Sequence, residues 1–125
     1  MKTARTILII DDDARNIFAL SLLLKTRGYT CLSASDARKG LLLLNTNPDI
    51  AVVLLDMMMP DMDGYEALAE IRAQENFAKL PVVAVTAQAM PGDREKCLAA
   101  GATAYLAKPV DVDRISALLE TYFAR

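Results

Sequence analysis

Residues 51–64 read AVVLLDMMMPDMDG. An unbroken apolar run leads into Asp56; three methionines, Pro60 and an acidic turn ending at Gly64 follow. The run does not alternate, so both faces of this strand must be covered, as in a parallel sheet between helices. Asp56 is then the anomaly. A carboxylate at the end of a buried strand costs free energy unless something pairs with it.

The neighbouring segments supply the sheet. RTILII (5–10) is a short β-branched run stopped by Asp11-Asp12-Asp13. From Ala14 the spacing becomes helical: Ile17, Leu20 and Leu24 share a face, and Gly28 signals the C-terminal end. YTCLSA (29–34) reads as a second strand, and Ser35-Asp36 opens a helix carrying Ala37, Leu41 and Leu44. The breaker cluster NTNPD precedes the central strand 50–56. Asp63 lies three residues before Glu66, a capping-box spacing, and Tyr65, Leu68 and Ile71 continue that helix. LPVVAVTA (80–87) reads as a fourth strand. Pro91-Gly92-Asp93 starts a helix closed by Gly101. TAYLA (103–107) is a fifth strand stopped by Lys108-Pro109, and Ile115, Leu118, Leu119 and Tyr122 mark the last helix. The expectation is an α/β fold, a five-stranded parallel sheet flanked by five helices, forming a single domain over residues 1–125.

The polar residues fall at strand ends. Asp11-Asp12-Asp13 follow the first strand, Asp56 ends the third, Thr86-Ala87 the fourth, and Lys108 follows the fifth. In a parallel sheet all carboxyl ends share one edge, where ligands bind. Clustered carboxylates need a cation, and oxygen ligands suit Mg²⁺ or a similar hard ion. A carboxylate can also attack phosphorus, and the phosphoryl oxygens then need donors: an ammonium, a hydroxyl, a backbone N–H. Asp13 and Asp63 read better as helix caps than as ligands. At least one of Met57, Met58 and Met59 should pack inward, and one leucine of Leu41–Leu44 should be exposed.

Composition removes several function classes. There is no histidine, which excludes Ser-His-Asp and Cys-His sites and histidine-ligated zinc. The net charge of -2 gives no nucleic-acid footprint and no basic membrane patch. The longest apolar runs are too short to cross a bilayer, and MKTARTILII lacks the pattern of a signal peptide. Cys31 and Cys97 have no metal or redox spacing and are expected to be buried thiols of a cytoplasmic protein.

As an ordered set, IIDDD, LLDMMMPDMDG, VTA and AYLAKPV resemble the response-regulator receiver domains of bacterial two-component signalling, over essentially the whole chain. The resemblance implies the flavodoxin-like strand order 2-1-3-4-5 and a phosphoacceptor role without turnover of an external substrate. Asp56 would take a phosphoryl group from a phosphohistidine of a sensor kinase or phosphotransfer protein. Asp12 and Asp56 would hold Mg²⁺ (or Mn²⁺) directly, Met58 through its backbone carbonyl and Asp11 through water. Lys108, the Thr86 hydroxyl and the Ala87 N–H would bind the phosphoryl oxygens. Thr86 and Tyr105 would form the switch to the face made by helix four, strand five and helix five. Met58 and Gln88 occupy positions that tune phosphoryl lifetime, and Lys108-Pro109 would be cis.

Two rivals remain. A haloacid-dehalogenase-type aspartyl-phosphate hydrolase also uses Asp, Mg²⁺, Thr and Lys, but favours an aspartate where Met58 stands. A pseudo-receiver would bind partners without phosphate, which the full acidic set with Thr86 and Lys108 argues against. Stand-alone regulator or hybrid-kinase receiver, cognate kinase, output partner and homodimer formation are left open.

Overall fold

A computed structural model describes residues 6–60, 62–87 and 90–123. Five strands alternate with five helices: β1 (Thr6–Ile10), α1 (Ala14–Thr26), β2 (Thr30–Ala34), α2 (Ala37–Thr46), β3 (Ile50–Asp56), α3 (Gly64–Ala73), β4 (Val82–Thr86), α4 (Asp93–Ala99), β5 (Ala104–Ala107) and α5 (Val112–Phe123). The sheet is parallel in the order β2-β1-β3-β4-β5. The strand order expected from the resemblance is therefore the observed one.

The sheet is apolar on both faces because each strand sends alternate residues to opposite sides. Leu8, Ile10, Val53, Leu55, Val82 and Ala84 pack against Ala37 and Leu44 of α2, Ala67, Leu68 and Ile71 of α3 and Cys97 of α4. Ile7, Ile9, Val52, Leu54, Val83 and Val85 pack against Leu20 and Leu24 of α1 and Ile115 and Leu119 of α5. β3 lies between β1 and β4 and is the strand with most to bury, which is why its sequence shows no alternation.

Helix starts follow the expected caps. The Asp13 side chain accepts from the Arg15 N–H at α1, Asp36 from Lys39 at α2, and Asp63 forms a full capping box with Glu66 at α3. Gly28 and Gly101 have positive φ, as the C-terminal signals require. Of the three methionines, Met57 and Met59 are buried and Met58 is exposed; Leu42 is the exposed leucine of its run.

Several boundaries differ. β4 begins at Val82, not Leu80, because Pro81 offers no N–H to the ladder. β2 begins at Thr30 because Tyr29 closes the α1 terminus with its N–H on the Leu24 carbonyl, and β5 begins one residue later than expected, at Ala104. A 3₁₀ turn at Glu75–Phe77 was not foreseen. Cys97 is buried as expected, but Cys31 is only half-buried, since β2 is an edge strand. Gln88 lies outside the described residues, so the expectation placed on it stays with the sequence.

Candidate functional site

The carboxyl edge of the sheet gathers the expected residues. β1 delivers Asp11 and Asp12, β3 delivers Asp56, and the chain leaving β5 delivers Lys108. A carboxylate oxygen from each of Asp11, Asp12 and Asp56 lies within 4.8 Å of the others. Asp11 and Asp56 are buried, and Asp12 is exposed. The Lys108 ammonium lies between the two buried acids, 3.0 Å from Asp11 Oδ2 and 3.3 Å from Asp56 Oδ2.

Local backbone fixes these groups. Met58 N–H donates to Asp56 Oδ1 at 2.9 Å, so the turn after β3 holds one carboxylate oxygen and leaves the other to Lys108. Gly64 N–H reaches the Met57 carbonyl, and a Cβ on Gly64 would stand 2.5 Å from Met57 Cα and 2.9 Å from the Asp56 carbonyl oxygen. The glycine of the DG pair is therefore required by close approach of α3 to the acceptor turn. Lys108 is held by its N–H on the Thr86 carbonyl, 2.8 Å, and the following Lys108-Pro109 bond is cis.

Electrostatics follow from two buried acids sharing one ammonium. Burial pushes the Asp56 carboxyl above its ordinary value; the Met58 N–H opposes this, Asp11 adds to it, and Lys108 opposes it. Burial alone would lower Lys108, but its hydrogen bond to Asp11 and the charges of Asp56 and Asp11 outweigh that and hold it above its usual range. The cluster is short of positive charge. Its all-oxygen donor set fits a hard divalent cation, to which Asp11, Asp12 and Asp56 could contribute ligands.

A cleft of about 480 Å³ opens over the cluster, lined by Asp12, Asp13, Ala14, Asp56, Met58, Ala87 and Lys108. Thr86 is different. It is buried and lines an adjoining cavity with Met57, Met58 and Tyr65. Tyr105 is half-buried, its ring packed against the α2–α3–α4 side of the core. Its hydroxyl is buried without a hydrogen-bond partner among the described residues. Burial raises that phenol, with Asp93 and Cys97 adding to the effect.

One participant was missed. Asn16, in the first turn of α1, donates its side-chain amide to Asp11 Oδ2, while the Asp13 N–H holds Asp11 Oδ1. The available signal was a polar residue just inside a helix whose N-terminus faces the acidic edge. Asp13 and Asp63 are caps, as expected, although Asp13 also borders the cleft.

Comparison with known proteins agrees with this geometry. The family model described as response regulator receiver domain matches residues 7–120, and the chain belongs to that family. The sensor histidine kinase RcsC of Salmonella typhi is 39% identical over 119 residues, 95% of this chain and 12% of the kinase. The signal transduction histidine-protein kinase BarA of Escherichia coli is 35% identical over 121 residues, 97% of this chain and 13% of that protein. The chain thus spans about an eighth of the length of these relatives. Among solved structures, the receiver domain of sensor histidine kinase PA1611 from Pseudomonas aeruginosa, which has a magnesium ion in its active-site cleft, superposes with a TM-score of 0.87 at 34% identity, covering 98% of this chain and 99% of that one. No helix among the described residues is long and apolar enough to cross a membrane.

Proposed function

We propose that this chain acts as one receiver unit in which Asp56 accepts a phosphoryl group from a phosphohistidine. The donor would be a sensor kinase or phosphotransfer protein, in keeping with the hybrid sensor kinases it resembles. One observation carries the reading: a buried carboxylate at the end of the central strand, paired with Lys108, flanked by Asp11 and Asp12, and open to a cleft.

In the transfer, an Asp56 oxygen forms a bond to phosphorus as the donor's N–P bond breaks, and the imidazole nitrogen keeps the electron pair. Lys108 leaves its place between the acids to neutralise a phosphoryl oxygen. The Ala87 N–H and the Thr86 hydroxyl supply further donors, for which Thr86 must turn from its cavity toward the cleft. Asp12, Asp56, the Met58 carbonyl and, through water, Asp11 would hold Mg²⁺ (or Mn²⁺), which supplies charge neutralisation and orientation at the phosphoryl oxygens. Asn16 and the Asp13 N–H keep Asp11 oriented.

The output is a population shift. With Thr86 turned toward the phosphate, Tyr105 would move inward, and the α4–β5–α5 surface would respond. Acetyl phosphate or beryllofluoride with Mg²⁺ tests the reading. The expected product is a single acyl phosphate on Asp56, absent from Asp56→Asn; an unlabelled wild-type chain would refute it.

A further inference from the structure

Among the described residues, Met58 alone lines both of the adjoining cavities at this edge. It lines the cleft over Asp56 and Lys108, and it also lines a neighbouring cavity of about 200 Å³ with Met57, Thr86, Tyr65, Met90 and Cys97. It is thus the wall between the acceptor and the buried Thr86. Among the described residues lining the cleft, Asp12, Asp13, Asp56 and Lys108 are charged, and Met58 is the one bulky apolar side chain. Its accessibility also sets it apart from its neighbours: Met58 is 53% exposed, whereas Met57 and Met59 are 2% and 6% exposed.

We propose that Met58 is an oxidation site whose sulfoxide shortens the life of the phosphorylated state. The inference rests on Asp56 being the phosphoacceptor. The oxidant is a peroxide. A sulfur lone pair attacks the peroxide, an S–O bond forms and the O–O bond breaks. With hydrogen peroxide, the departing oxygen leaves as hydroxide and becomes water by taking the proton of the new S–OH group, which leaves the sulfoxide; sulfur is oxidised by two electrons and the peroxide reduced by two. The product replaces a thioether with a strong hydrogen-bond acceptor at the mouth of the cleft.

That exchange matters because loss of the phosphoryl group needs a water aligned on phosphorus. A thioether at this wall excludes water and offers it almost no hydrogen bond. A sulfoxide oxygen in the same place accepts a hydrogen bond from the attacking water and orients it, a contribution of the same nature as general-base positioning. The backbone of Met58 continues to hold Asp56 Oδ1, so the change falls on water access and leaves acceptor placement intact. Met57 and Met59, packed in the core, are shielded from the same reagent. Met90, 61% exposed, is the internal comparison: equally accessible, it borders the second cavity and not the cleft.

The test uses the whole chain and hydrogen peroxide. Peptide mass spectrometry first locates the added oxygen. Untreated and treated proteins are phosphorylated with acetyl phosphate and Mg²⁺, freed of donor, and followed for loss of acyl phosphate. Oxidation at Met58 with an increase of about threefold or more in that rate, reversed by methionine sulfoxide reductase, is expected. Met90→Leu should keep the response. Met58→Leu, compared with its own untreated rate, should lose it. An unoxidised Met58 where Met90 is oxidised, an oxidised Met58 with an unchanged rate, or a response retained in Met58→Leu would each overturn the inference. Failure of the untreated protein to take up phosphate would overturn the phosphoacceptor reading as well; normal uptake followed by no peroxide response overturns this inference alone.

Discussion

Replacing Asp56 by asparagine should stabilise the metal-free protein. The ammonium of Lys108 lies 3.3 Å from Asp56, an attraction of about 5 kcal/mol at an effective dielectric of about 20. Asp11 places a like charge within 4.8 Å of Asp56, a repulsion of at least about 3 kcal/mol on the same scale. The small surplus must also cover the repulsion of Asp12 and the loss of hydration at a buried carboxylate. It does not, which is why burial leads the forces that lift the Asp56 carboxyl above its ordinary 3.8. Asparagine keeps the oxygen that accepts from Met58 N–H, removes the charge, and leaves Lys108 paired with Asp11. A gain of about 1 kcal/mol, or about 3–6 °C in midpoint, is expected.

The pH dependence carries the sign. Asp56 holds its proton to higher pH folded than unfolded, so its favourable share of stability is complete below 3.8 and is lost as pH rises through the elevated folded value. Asparagine has no such loss. The advantage of Asp56→Asn should therefore be small in acid and full at neutral pH, while carboxylates common to both proteins cancel in the difference. Thermal melts in chelator from pH 3.5 to 7.5 measure it. An equal or lower midpoint for Asp56→Asn at neutral pH would refute the charge argument.

Saturating Mg²⁺ should raise the wild-type midpoint, by the equivalent of about 2.7 kcal/mol at a hundred times the dissociation constant, and should raise Asp56→Asn less; paired melts decide it. Met58→Asn, which exchanges the apolar wall of the cleft for a group that can hold water, should accelerate acyl-phosphate loss by about tenfold; an unchanged rate would show that the Met58 side chain does not restrain hydrolysis. Gly64→Ala would drive a methyl group into the backbone of Met57 and Asp56. It should cost about 1–3 kcal/mol in urea denaturation and slow phosphorylation of the fraction that folds.

The legible parts of this sequence were those in which one residue's environment is set by its own segment. The unbroken apolar run of β3, the capping carboxylates Asp13, Asp36 and Asp63, and the glycines at positive φ are local signals with local outcomes. The convergence of Asp11, Asp12, Asp56 and Lys108 was also legible, because parallel strands put all carboxyl ends on one edge. What escaped depends on side chains reaching between elements. Asn16 meets Asp11 only through the way α1 starts beside the end of β1. Arg72 shows the same at the opposite edge: its guanidinium donates to the carbonyls of Gly101, Phe77 and Leu80, which ties α3 to the 3₁₀ turn and to the segment before β5. No spacing in the chain announces those partners. The separation of Thr86 from the cleft was hidden likewise, since strand register fixes its height on the edge and not the cavity its side chain lines.

Under the proposed phosphoacceptor role, the distribution of restraint suits a local charge change at Asp56 to being read at a distance. Asp56 ends a strand paired on both sides, its backbone is continued by Met57 N–H on the Val85 carbonyl, and Gly64 locks the following turn. An acceptor held in this way has little room to adjust to new charge, so under phosphorylation the adjustment would fall to less restrained neighbours. Those neighbours lie toward one side. β5 is an edge strand of four residues, α4 spans seven, and the Tyr105 hydroxyl is buried without a partner among the described residues. On the proposed function, a rigid acceptor beside these short elements is the combination in which contacts made at a phosphorylated Asp56 would bias the α4–β5–α5 face.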